Sequence, residues 1–121
     1  MIFTGIRYMG GKASRDKGAA YEREIVNWHR ERGVDAERVP LSGAMKGNYA
    51  SDIKLGPSLG LTAECKRRAR AYKDLYDALD QDDSDMLFVR RDRERTLVVL
   101  PLETYEAFLD WLGWIQTKKE K

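Results

Sequence analysis

The sequence predicts a small α/β fold, a mixed β-sheet flanked by helices in the order α-β-β-β-α-β-β-α. Three observations predict it. Tyr21, Ile25 and Trp28 recur at helical spacing; residues 49–55 and 61–67 alternate apolar and polar on either side of a Gly-Pro turn; and a second helical stripe follows Pro101.

Residues 1–14 hold Gly5, Gly10 and Gly11 without periodicity and read as a flexible basic arm; residues 15–121 read as a single domain. Asp16 suits the N-cap of a first helix that Gly33 ends. Arg23, Asn27, Arg30 and Glu31 take its wet side. Glu22 lies three before Ile25 and four before Val26, at the edge of the apolar stripe. Residues 34–39 read as a strand and 40–48 as a loop. In the next strand Ser51, Ile53 and Leu55 share one parity, Asp52 and Lys54 the other. After a turn at 56–60, Leu61, Ala63 and Cys65 alternate with Thr62, Glu64 and Lys66. Residues 72–81 read as a helix with Leu75, Tyr76 and Leu79 inward, and 86–89 and 96–100 as two strands. Pro101 opens a last helix whose stripe is Tyr105, Phe108, Leu109 and Leu112.

The 121-residue chain is 42% hydrophobic and 35% charged, the balance of a folded domain rather than a disordered one. No apolar run approaches the roughly 20 residues that span a bilayer, so no membrane association is expected. One cysteine, Cys65, excludes an internal disulfide and a Cys-rich zinc site, and reads as a small packed side chain. One histidine, His29, excludes a multi-histidine metal site and reads as a packing or surface residue. The first six residues are too short and interrupted for a signal peptide, and a reducing, cytoplasmic setting is expected.

A net charge of +2 conceals uneven placement. Residues 1–20 carry Arg7, Lys12, Arg15 and Lys17 against Asp16 alone. Residues 66–73 hold five bases and no acid, and residues 74–85 six aspartates and no base. Basic blocks of this kind suit a polyanion.

A turn centred on Ser58 places Asp52 opposite Glu64 on one face, with Cβ atoms roughly 5 Å apart; Lys66 shares that face. Opposed carboxylates repel unless something lies between them. A divalent cation removes that penalty, and magnesium, which takes oxygen ligands and few of them from protein, suits the pair. Lys66 then stands where it can orient a water or neutralise developing charge. The same parity also describes a solvated strand face with a weak surface ion pair. The apolar opposite parity, and Glu22 at the edge of the helical stripe, favour a cleft on which three acids and a lysine converge.

Lys17-Gly18-Ala19-Ala20-Tyr21-Glu22-Arg23-Glu24, then Arg38 through Ser42, Ser51-Asp52 and Glu64-Cys65-Lys66, resemble in that order the PD-(D/E)XK nucleases. Within them the pattern is most similar to the archaeal-type Holliday-junction resolvases. The ordered set is far more specific than its E-x-K piece; Ser51 stands where the pattern's name has Pro. The resemblance implies a restriction-endonuclease-like core, an endodeoxyribonuclease using Mg2+ with Mn2+ as a substitute, a branched substrate such as a four-way DNA junction, and a homodimer. It implies Asp52, Glu64 and the backbone carbonyl of Cys65 as metal ligands, Glu22 as a further acid holding metal or water, and Lys66 as the catalytic lysine. Arg23, Arg38 and Ser42 are implied to contact phosphate or support the site.

Lys66, Arg67, Arg68 and Arg70 directly follow the site and read as a phosphate-binding run, which Lys46 in the loop and Lys17 extend. The turn at 90–95 mixes arginines with Asp92 and Glu94 and reads as a solvated turn. Trp111, Trp114 and Ile115 exceed one helical stripe; they suit a dimer interface or the packing of a wide helix. Two other functions stay open: a restriction-like or repair nuclease acting on duplex, flap or single-stranded DNA, and a non-catalytic nucleic-acid-binding module on the nuclease fold.

Overall fold

A computed structural model describes residues 2–39, 52–56 and 60–115, with side chains from Arg15 onward. The elements are α1 (Ile2–Glu31), β1 (Ala36–Arg38), β2 (Ile53–Leu55), β3 (Leu61–Ala63), α2 (Lys73–Gln81), β4 (Leu87–Val89), β5 (Leu97–Val99) and α3 (Leu102–Trp111). This is the expected order. The strands form two antiparallel sheets, β1-β2-β3 and β4-β5, where one mixed sheet was expected. Each three-residue strand pairs with its neighbour in the chain, and antiparallel pairing needs no long crossover between them. The described residues group into two compact units, one ending at Arg67 and the other spanning Arg68–Ile115.

In the first unit α1 begins at Ile2, well ahead of the expected Asp16 cap, and takes in the segment read as a flexible arm. Once a helix is nucleated each further residue adds a hydrogen bond, which offsets the roughly 1 kcal/mol that each glycine costs. The other end is as expected. Gly33 adopts φ 79°, the Gly33 N–H donates to the Arg30 carbonyl and the Val34 N–H to the His29 carbonyl, 3.0 and 2.9 Å. These two bonds are those of a Schellman motif, which needs a left-handed residue where Gly33 stands. Ile25 and Val26 on α1 pack with Ala36, Ile53, Leu55, Ala63 and Cys65 to form the core. Arg30 Nε clamps the helix to β1 by donating to the Ala36 carbonyl at 2.9 Å.

The second unit has a thinner interior, with Leu79 of α2 and Leu109 of α3 buried. Tyr76, Phe108 and Leu112, expected to face inward, are exposed. Helices of nine and ten residues each bury one anchor here. No helix among the described residues is long and apolar enough to cross a membrane.

Candidate active site

The site is built at one end of the β2–β3 hairpin. Ile53 pairs with Ala63, Lys54 with Thr62 and Leu55 with Leu61, the register a turn centred on Ser58 dictates. One step beyond the last pair lie Asp52 and Glu64. β3 itself stops at Ala63, shorter than the alternation to residue 67 suggested. The reason is local: the Cys65 N–H, instead of extending the ladder, donates to Asp52 Oδ2 at 2.8 Å. That bond holds the two segments together past the sheet and draws Asp52 inward. Asp52 is only 7% exposed although it shares the parity of exposed Lys54. On its other side the Asp52 carbonyl accepts the Val39 N–H at 2.9 Å, continuing the β1–β2 pairing.

Cys65 reports the electrostatics of this corner. Burial pushes its thiol up, and the negative charges of Asp52, Glu22 and Glu64 push it further, to about 11. One helix and two strand ends thus bring three carboxylates within electrostatic reach of a single sulfur. The thiol is neutral at pH 7, which suits the packing role expected for it and excludes a thiolate nucleophile.

Glu22 and Arg38 meet across the helix–sheet boundary, Arg38 Nε donating to Glu22 Oε1 at 3.0 Å. Their side chains are 12% and 30% exposed respectively. Arg38 pairs with Ile53 in the β1–β2 register, so its side chain leaves the sheet on the helix-facing side and reaches the first α1 turn before Val26. Each residue was singled out from the sequence; their partnership was not, because no local pattern links positions 22 and 38. Glu64 instead partners Lys66, Oε2 to Nζ 3.3 Å, and both side chains are about half exposed (50% and 53%). The site therefore has a part-buried ion pair between α1 and β1 and an exposed one just beyond β3.

A family model for the archaeal Holliday junction resolvases (Hjc) matches residues 13–103, taking in all of Glu22, Arg38, Asp52, Glu64 and Lys66. The chain belongs to that family. No curated protein and no solved structure matches it. Membership makes it a resolvase-type nuclease acting on branched DNA.

Among the described residues, no three His, Cys, Asp or Glu side chains stand close enough to hold a metal ion between them. Magnesium asks for less, commonly one or two carboxylates with water and substrate phosphate completing the shell. Hard oxygen donors at adjacent strand ends, Asp52 and Glu64, fit that demand. Of the residues expected at DNA, Arg23, Arg67, Arg68 and Arg70 are exposed, Lys17 is half-buried and Arg38 is engaged by Glu22. Ser42 and Lys46 lie outside the described residues.

Proposed function

We propose that the chain is a magnesium-dependent endonuclease that resolves four-way DNA junctions as a homodimer. The observation that carries the reading is the convergence of Glu22, Asp52 and Glu64 on the Cys65 corner, with Lys66 held at 3.3 Å by Glu64. Asp52, Glu64 and the Cys65 carbonyl would hold the ion, which supplies Lewis acidity toward the phosphoryl group when bound. Lys66, accessible and beside Glu64, neutralises charge that develops on the scissile phosphate. Glu22 fixes Arg38 and adds negative potential behind the ligands. A two-fold dimer supplies the second site that paired cuts on opposing strands require.

The test is cleavage of a four-way junction, a flap, a duplex and a single strand, each with and without magnesium. The expected result is junction cutting that needs the ion and is lost in Asp52→Asn and Glu64→Gln. Equal cutting of duplex or flap would replace the junction reading with a general nuclease. Metal-independent binding without cutting of any substrate would leave a binding module.

A further inference from the structure

The second unit carries a charged hollow that the carboxylate site does not use. Arg90, Arg91, Asp92, Arg93, Glu94 and Arg95 join β4 to β5. Intermixed acids made this segment read as an ordinary solvated turn, but the fold sorts the charges. Val89, Arg90, Arg91, Glu94, Arg95 and Leu97 line a hollow of about 560 Å³. Three of the four arginines face it with one acid, and Asp92 is not among its walls. Glu94 Oε2 sits 3.7 Å from Arg91 Nη2, so the acid is spent on one arginine of the three. The turn is closed by the Glu94 N–H on the Arg91 carbonyl at 2.9 Å, with Arg93 in the left-handed region at φ 68°. Arg90 directly follows β4 and Arg95 lies two residues before β5, both lining the hollow.

We infer that this hollow, built from residues the carboxylate site does not use, is a binding site for the phosphodiester backbone of DNA. Three of its six lining residues are arginines, and Glu94 is the one acid among them. Guanidinium groups offer forked donors matched to phosphate oxygens. The β4–β5 ladder ends at Val89 opposite Leu97, and Arg90 and Arg95 lie in the connection that this pairing closes. Phosphate contacts orient a duplex without reading bases. The site therefore adds affinity for a DNA arm irrespective of its sequence. The inference rests on the DNA-acting reading of the family.

The test is fluorescence-anisotropy titration of the full chain, without magnesium, against a four-way junction and a duplex of unrelated sequence, between 50 and 200 mM salt. Each lost phosphate contact lowers the slope of log K against log salt by roughly 0.9 and, near 0.1 M salt, affinity by on the order of tenfold. Arg90→Gln with Arg95→Gln is expected to lower the slope by about two units on both DNAs. Glu94→Gln, which releases Arg91, is expected to raise affinity. Arg93→Gln removes a charge outside the hollow and is expected to leave the slope within about half a unit of the parent's. An unchanged slope in the double variant, or equal losses for it and Arg93→Gln, would overturn the inference. Circular dichroism of the double variant keeps a folding failure distinct. Junction cleavage by the parent chain is read separately, so failure of the hollow and failure of the nuclease reading give different results.

Discussion

The Glu22–Arg38 pair makes a quantitative prediction because its surroundings differ so clearly from those of Glu64–Lys66. An exposed ion pair contributes about 0.2–1 kcal/mol, since water screens it and ordering two long side chains opposes it. A hydrogen bond to a charged group out of water contributes about 1.5–3 kcal/mol. Glu22 and Arg38 are 12% and 30% exposed at 3.0 Å, nearer the second case, and the partial exposure of Arg38 draws the value toward its lower end. Their coupling is expected at about 1.5 kcal/mol. The Lys66–Glu64 pair, half exposed at 3.3 Å, is expected at about 0.3 kcal/mol. Double-mutant cycles measure both: Glu22→Gln with Arg38→Gln, and Glu64→Gln with Lys66→Gln, each by urea unfolding. With a slope of about 2 kcal/mol per molar urea, the first coupling corresponds to roughly 0.8 M in midpoint and the second to under about 0.2 M. Equal couplings, or a Glu22–Arg38 value under about 0.5 kcal/mol, would refute the distinction between a part-buried structural pair and a solvent-screened one.

Three further outcomes follow from single features. Lys66→Ala is expected to lower junction cleavage by at least about tenfold per 1.4 kcal/mol of lost charge stabilisation while leaving magnesium affinity, read by calorimetry, unchanged; loss of metal binding would make Lys66 a structural partner of Glu64 only. His29 is buried, its Nδ1 lies 2.7 Å from the Ile25 carbonyl, and burial, with the nearby Arg32 charge, holds its pKa below the ordinary 6.5. The unfolded chain then takes up a proton that the folded chain refuses. Stability is therefore full above about pH 6.5 and falls as pH drops below it, by at most about 1.4 kcal/mol per pH unit, and thermal melts of His29→Gln are expected to lack that slope. Gly33→Ala is expected to lower stability by about 1 kcal/mol, because an L-residue at φ 79° is strained. Asp83→Gly, at φ 53° in the equivalent motif after α2, is expected to raise it by about 0.5 kcal/mol, both read as shifts in urea midpoint.

What the sequence determined alone is what depends on short-range periodicity and turn chemistry. The strict two-residue period of 49–55 and 61–67, with one turn between, admits one register that buries Ile53, and that register puts Asp52 and Glu64 at neighbouring strand ends. Gly33 ends α1 and Pro101 stands immediately before α3, each for a backbone reason visible in one residue. The order of Glu22, Arg38, Asp52 and Glu64-Cys65-Lys66 along the chain carried the family, which the match over residues 13–103 bears out.

Only the tertiary structure decided which charges meet. Packing α1 against β1 couples Glu22 to Arg38, over sixteen positions of chain. Asp52 has the parity of a wet residue and is buried because one N–H, that of Cys65, turns to its carboxylate. The start of α1, the division into two sheets and two units, and the exposure of Trp111 at 82% likewise depend on the neighbours each element finds. At the β4–β5 turn acids and bases alternate in sequence from Arg91 to Arg95, and the fold decides that Arg90, Arg91 and Arg95 line one hollow with Glu94. Local patterns specify which face of an element is apolar; a side chain's partner is set by contacts between residues far apart in sequence, which no window along the chain contains.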